Sequence, residues 1–461
     1  MLFPDGFAWG AATASYQIEG GVRDGGRGPS IWDTFAHTAG RIADGETGDV
    51  ADDHFHRYAD DVALLADLGV THYRFSFAWP RLQPDGRGPL NPAGVDFYRR
   101  LVDLLLERGI QPWATLYHWD LPQPLEDAGG WPVRDTAQRF ADYAALVHGV
   151  FHDRFGNWTT LNEPWCSAFL GYAAGNHAPG RQEPAAALAA AHHLMLGHGL
   201  AVDAMRAQDA AGAYGITLNL YPVNAATDSD ADRDAARRVD AVTNRIFLDP
   251  LLRGRYPDDL QADVAGVSDL SFIADGDEKT IAAPLDMLGV NYYSRQVVRA
   301  SGSPQAATTR SAAWVGSTDV ESVRRGLPAT EMGWEIDPQG LYDVLSRVQR
   351  DYGPIPLYIT ENGAAFADEP DETGAVHDPQ RIAYLDSHFR TAHRAIKDGI
   401  DLRGYFVWTL MDNFEWSWGF TKRFGLVYVD YPTQRRIPKD SARWFSEVTH
   451  RNGPPDPNPV Q

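Results

Sequence analysis

One cysteine in 461 residues leaves no partner for an internal disulfide. A lone thiol fits a reducing cytoplasm better than a disulfide-stapled secreted fold. The opening residues, Met1-Leu2-Phe3-Pro4-Asp5-Gly6, have neither a basic start nor a continuous apolar segment, so no secretory leader is expected. No uninterrupted apolar run approaches the ~20 residues of a membrane span, and no membrane partner is expected. Basic charge is scarce as well. With 41 Lys and Arg against 62 Asp and Glu the net charge is -21, which opposes binding to nucleic acid or an anionic lipid surface.

Several chemical signatures are missing too. No Gly-x-Gly-x-x-Gly follows the first strand, which argues against a dinucleotide-binding open sheet. No Gly-x-Ser-x-Gly elbow marks a serine hydrolase. The histidines of Asp52-Asp53-His54-Phe55-His56 and His192, His193 and His198 lack His-Glu-x-x-His spacing and read as solvated or capping groups. Asp228, Asp230 and Asp232 imitate a calcium loop, but Arg233 stands where that loop needs Gly and Val239 where it needs Glu. No metal or cofactor is expected. Cys166 reads as a small buried hydrophobe rather than a nucleophile.

What the chain does contain is a repeating order of strands and helices. Hydrophobic residues make up 44% and aromatics 11%, enough for a large core. Val50, Phe55, Tyr58, Val62, Leu65 and Leu68 recur at helical spacing and Gly69 supplies a stop. The strand His72 to Phe77 follows. Asn91 and Pro92 read as N-cap and first residue of a helix ended by Gly109, and Gln111 to Leu116 is the next strand. A helix from Asp135 leads to the strand Trp158 to Leu161. Further strands are expected at Phe7 to Gly10, Tyr214 to Asn219, Asp286 to Asn291, Leu357 to Thr360 and Gly404 to Thr409. Eight strands alternating with helices predict an α/β fold, a closed (β/α)8 TIM barrel forming one catalytic domain over residues 1–461. Segments around Asp228-Ser229-Asp230 and from Ala300 to Thr318 read as long loops, and the Pro-rich stretch from about Gly453 as a poorly packed tail.

Polar and aromatic residues gather where these strands end: Gln17, Glu19, Arg74, His118, Trp119, Asn162, Glu163, Asn291, Tyr293, Glu361, Trp408, Glu415 and Trp416. The carboxyl ends of barrel strands form the mouth that holds substrate. A pyranose needs paired donors and acceptors for its hydroxyls and an aromatic face for its C–H surface, and Gln, His, Asn, Glu and Trp supply them. Glu163 and Glu361, from different strands, could form the acid and nucleophile that glycoside hydrolysis requires. A noncatalytic sugar-binding barrel would need no such pair.

The segment Phe7 to Gly20, with Tyr73-Arg74-Phe75-Ser76, Tyr117-His118-Trp119-Asp120, Asn162-Glu163-Pro164, Asn291-Tyr292-Tyr293, Thr360-Glu361-Asn362-Gly363 and Asp412-Asn413-Phe414-Glu415-Trp416, closely resembles glycoside hydrolase family 1. The likeness runs from Phe3 to about Phe445. It implies a retaining β-glucosidase with Glu163 as general acid/base and Glu361 as nucleophile, supported by Arg74, Asn291 and Tyr293. By the same resemblance Gln17, His118, Trp119, Asn162, Glu415 and Trp416 are glycone ligands and Trp408 a stacking platform. Trp165, His177, Asn219 and Trp334 match positions near the aglycone. Phospho-sugar members resemble a pattern with Ser, Lys and Tyr at positions 415, 422 and 424. Here Glu415 would repel a phosphate and Phe424 lacks a hydroxyl, although Lys422 is present, so an unphosphorylated β-glycoside is the expected substrate and a 6-phospho-β-glycosidase the alternative. Oligomeric state is left open.

Overall fold

The computed structural model describes residues 1–209, 211–301 and 311–455. Eight parallel strands close into a barrel: β1 Ala8–Ala12, β2 His72–Ser76, β3 Gln111–Tyr117, β4 Asn157–Asn162, β5 Ala213–Asn219, β6 Met287–Asn291, β7 Leu357–Asn362 and β8 Leu402–Trp408. Each pairs with its sequence neighbours, and β1 closes the ring by pairing with both β2 and β8. All eight expected strands are present, with ends moved by no more than two residues.

The helices that follow the strands begin where local chemistry says they should. Pro92, Pro184, Pro338 and Pro379 each open a helix: α1 Pro92–Glu107, α2 Pro184–Gln208, α3 Pro338–Tyr352 and α4 Pro379–Lys397. A proline at that position loses no hydrogen bond, because the first amides of a helix have no intrahelical acceptor. Asn91 caps α1 by accepting from the Ala93 amide, as the sequence predicts. The helix before β2 is shorter than its apolar periodicity, running His54–Asp67 instead of starting near Asp49. One predicted loop is structured. Ser229 accepts from the Asp232 amide and caps a helix, Asp230–Asp240. Ala300 closes the strand Gln296–Ala300 of a small outer sheet with Val223–Ala225 and Val320–Ser322. Residues 302–310 of the other predicted loop, and 456–461 of the predicted tail, lie outside the described residues.

Helix α2 is long and apolar enough to cross a membrane by length and composition, but 83% of that stretch is buried within the protein. Its apolar character is spent on packing against the helix Asp135–Phe151. The barrel interior is filled at its lower end by His72, Trp113, Tyr358 and Phe406, whose rings lie 4.8 to 6.4 Å apart. Above this plug the inward residues turn polar. Within the barrel, the inward hydrogen-bonding groups therefore gather at the carboxyl end of the strands.

Candidate active site

Glu163 and Glu361 emerge at the upper ends of β4 and β7, and in both strands the alternation of side chains breaks just before the glutamate. Thr360 points inward, donating to Asn291 Oδ1 at 2.7 Å, and its neighbour Glu361 also points inward, to Arg74. The pairing of β7 with β6 slips between Ile359 and Glu361, and that of β4 with β5 slips between Thr159 and Asn162. Such a bulge inserts an extra residue and re-aims the next side chain. Glu163 follows with φ of 47°, in the left-handed region. Gly363 completes the β7 turn, where a Cβ would overlap the Trp408 carbonyl oxygen.

A single cation organises the floor. Arg74, fully buried, donates Nη1 to Glu361 Oε1 at 2.6 Å and Nη2 to Asn162 Oδ1 at 2.6 Å. Arginine only donates, so these bonds fix the Asn162 amide with its oxygen toward Arg74. Its nitrogen then faces His118 Nε2 at 3.0 Å. Burial and the Arg74 charge hold His118 well below its ordinary pKa, so the ring is neutral. With Nε2 accepting, its proton is assigned to Nδ1, which has no partner among the described protein groups. Asn291 Nδ2 donates to Glu163 Oε1 at 2.7 Å and faces Asn162 Oδ1 at 3.2 Å, the oxygen that Arg74 holds, so one run of hydrogen bonds joins both carboxyls. The Tyr293 hydroxyl donates to Glu361 Oε2 at 2.8 Å.

The two carboxyls share a buried space but not an electrostatic environment. Burial, followed by the charge of Glu361, pushes Glu163 up to about 8. Burial leaves Glu361 raised above its ordinary range too, with the Arg74 charge and the hydrogen bonds from Arg74, Tyr293 and Asn291 offsetting part of that rise. Glu415, buried beside them, is likewise pushed up to about 8 by burial and then by Glu361 and Glu163. Three carboxyls thus face one guanidinium, and the stable arrangement ionises only the one that Arg74 touches. This leaves a carboxylate beside a protonated carboxylic acid.

Both glutamates open onto a cavity of about 230 Å³ walled by Trp165, His177, Trp334, Trp408, Glu415 and Trp416. A larger outer groove of about 710 Å³ is lined by arginines such as Arg237, Arg295 and Arg347, each already paired with aspartates. The smaller cavity is the one with chemistry. Behind the lining residue Glu415, whose Oε2 lies 3.5 Å from its Nε2, Gln17 donates to Asn413 Oδ1 and the Phe414 carbonyl, both at 2.9 Å, which leaves its Oε1 without a protein partner. Trp165 Nε1 and His177 Nδ1 are buried and unpartnered in the same way. Buried polar atoms normally find partners, so these mark where a polar ligand would bind.

Several expected residues take other places. Asn219 does not line the cavity; its amide turns to Tyr221 Oη and Cys166 Sγ, at 3.4 and 3.7 Å. Trp119 lines the wall, but its indole N–H is spent on the Asn162 carbonyl at 2.9 Å, so it contributes a ring face only. Glu19 accepts from Arg81 and Tyr98 behind the rim. Cys166 is buried as expected, yet its thiol donates to Glu163 Oε2 at 3.1 Å. Sequence reasoning missed Leu170, Tyr221, Met332 and Trp418 in the lining. Tyr221 lies just beyond the end of β5, a position that could have marked it; the other three lie on loops or irregular helix with no periodic pattern.

The model of glycosyl hydrolase family 1 matches residues 1–454. The chain is 54% identical to a thermostable β-glucosidase B of Thermobispora bispora, covering 98% of this chain and 92% of that one. It is 51% identical to a bifunctional β-D-glucosidase/β-D-fucosidase of Bifidobacterium breve, covering 96% and 97%. Among solved structures, a psychrophilic β-glucosidase from Micrococcus antarcticus superposes with a TM-score of 0.94 at 50% identity, covering 98% of each chain.

Proposed function

The chain belongs to glycosyl hydrolase family 1, and we propose that it is a retaining exo-β-glucosidase, with Glu361 as nucleophile and Glu163 as general acid and then general base. The observation that carries this is the single Arg74–Glu361 ion pair at 2.6 Å in a cavity of three carboxyls. It keeps Glu361 ionised to attack the anomeric carbon while Glu163 keeps the proton that the leaving oxygen needs. Esterification of Glu361 then removes its charge. Arg74 is left unneutralised, ionisation of Glu163 becomes favourable, and the same residue can take a proton from the incoming water. Arg74, Asn162 and Asn291 join the two carboxyls in one short run of hydrogen bonds, which supports the close pair of a double displacement over the wider gap of an inverting pair.

The cavity ends against buried His118, Glu415 and Trp416, with Gln17 behind Glu415, and this favours a terminal, nonreducing glucosyl residue. His118 Nδ1–H, Gln17 Oε1 and the remaining amide hydrogen of Asn162 supply hydroxyl contacts, Asn162 being the candidate for the 2-hydroxyl. Trp408 and Trp416, ring-stacked on His118 at 5.9 Å, supply the aromatic faces. Trp165, His177 and Trp334 wall the aglycone side. Cellobiose, short cello-oligosaccharides and aryl β-glucosides are the proposed substrates. Side activity on β-fucosides is supported by the bifunctional glucosidase/fucosidase among its relatives, and side activity on β-galactosides is proposed beside it.

A 6-phospho-sugar fits less well, for a different reason than the sequence suggests. Glu415, pushed up to about 8, carries little charge at neutral pH and would repel phosphate weakly. At the position where a 6-phosphate would need a cation, the Lys422 ammonium is already engaged, 5.2 Å from the Trp418 ring centroid and 3.9 Å from Glu331, and Phe424 offers no hydroxyl. A noncatalytic sugar-binding barrel would gain nothing from the buried carboxyl pair and its cost in desolvation. Proton NMR of aryl β-glucoside hydrolysis tests the stereochemistry: β-glucose is expected to appear first, with the α anomer growing only by mutarotation. Initial release of α-glucose would overturn the retaining reading.

A further inference from the structure

The proton that Glu163 exchanges has only one oxygen on which to sit. Oε1 receives the Asn291 Nδ2–H at 2.7 Å, and Asn291 cannot turn round because the same nitrogen faces Asn162 Oδ1 at 3.2 Å, an oxygen that Arg74 fixes as an acceptor. An amide nitrogen donates and does not accept, so Oε1 is committed as an acceptor and the mobile proton belongs to Oε2. The group facing Oε2 is the Cys166 thiol at 3.1 Å. Its position is set by the backbone, since the Cys166 amide donates to the Glu163 carbonyl at 2.9 Å at the start of the π-helical turn Cys166–Ala174. On its other side, Asn219 Nδ2 approaches Sγ at 3.7 Å and also reaches the Tyr221 hydroxyl.

We propose that Cys166 is a positioning residue for the acid/base step, a reversible partner whose S–H donates to Oε2 when Glu163 is ionised and whose sulfur accepts when Oε2 is protonated. Burial and the neighbouring Glu163 keep the thiol protonated, so it does not act as a nucleophile. Sulfur is a weak donor and a weak acceptor, and holds the carboxyl in place without strongly preferring either protonation state. A hydroxyl in its place would donate more strongly to the ionised form and favour it, whereas a methyl group would withdraw that support. The proposal rests on Glu163 being the acid/base.

The test is the basic limb of the pH dependence of kcat/KM on an aryl β-glucoside, compared among wild type, Cys166→Ser and Cys166→Val. The other groups facing Glu163, namely Glu361, Arg74, Glu415, Tyr293, Tyr221 and His118, are unchanged in both variants. Donation to the ionised form lowers a carboxyl pKa, so the limb is expected to move to lower pH in Cys166→Ser and to higher pH in Cys166→Val, each by about half a unit or more. Serine should also retain more of kcat than valine on substrates limited by deglycosylation. Limbs that coincide with wild type, or that move in the same direction, overturn the proposal; if the valine variant fails to fold, the serine limb decides alone. Glu163→Gln separates the two readings: if it keeps the wild-type basic limb, the acid/base assignment itself has failed, whatever the cysteine variants do.

Discussion

Glu361→Gly is expected to lower kcat/KM on aryl β-glucosides by on the order of 10⁶-fold, the scale on which loss of an enzymic nucleophile is felt. The substitution does more than delete a reactive oxygen. It leaves Arg74 buried with Asn162 as its remaining side-chain partner near the reacting centre, and removes the acceptor of the Tyr293 hydroxyl. The space and the uncompensated positive charge both suit a small anion. Azide added with a dinitrophenyl β-glucoside should enter from the Glu361 side, opposite the leaving group, and yield α-glucosyl azide. A β-glucosyl azide would contradict the assignment, since it requires attack from the face on which Glu163 lies.

Glu163→Ala should divide substrates by leaving group. General acid catalysis contributes roughly 10² to 10⁴-fold, and a leaving group that departs as a stable anion does not need it. Expected losses in kcat/KM are therefore about 10⁴-fold for alkyl β-glucosides and less than about tenfold for dinitrophenyl glucoside, as measured by initial rates across a leaving-group series. The basic limb of the pH profile should vanish with Glu163, the carboxyl that burial and Glu361 push up to about 8. The sign follows from the role: activity needs protonated Glu163, so it falls as pH rises through that pKa. Azide should accelerate breakdown of the glycosyl-enzyme and give the β azide, the opposite anomer to that from Glu361→Gly. Equal losses across the leaving-group series would move the acid role to another residue.

Much of this was legible in the chain because strand ends are marked by composition. Trp158-Thr159-Thr160-Leu161 and Leu357-Tyr358-Ile359-Thr360 are β-branched and apolar, and the polar residue that ends each run announces the barrel mouth. Ordered motifs then carried the glycosidase reading, since seven segments falling in sequence are far more specific than any one. What could not be read was direction. Period-two alternation assigns Thr360 and Glu361 to opposite faces, and only the bulges, which depend on pairing with β5 and β6, bring them to the same side. Asn219 illustrates the same limit, standing at a strand end yet turned toward Cys166. The charge state of Glu415 is not legible in the chain, because sequence shows that a carboxyl is present but not how many others share its dielectric. Met332 and Trp418 reach the cavity from segments without periodicity, where no pattern predicts which way a side chain faces.

Glu163 occupies a backbone conformation, φ 47°, that glycine adopts freely and that costs other residues on the order of 1 kcal/mol or more. It also keeps a carboxyl in a cavity that disfavours its charge. Stability and turnover therefore pull in opposite directions at this residue. A search for heat-resistant variants that scores folding alone would tend to reward glycine there, returning a sturdier barrel that no longer hydrolyses ordinary glycosides. Laboratory evolution of this enzyme must keep catalysis inside the selection at every round, because one such gain in robustness lies at the proposed acid/base, among other non-glycine residues of positive φ such as Asp44, Leu270 and Gln434.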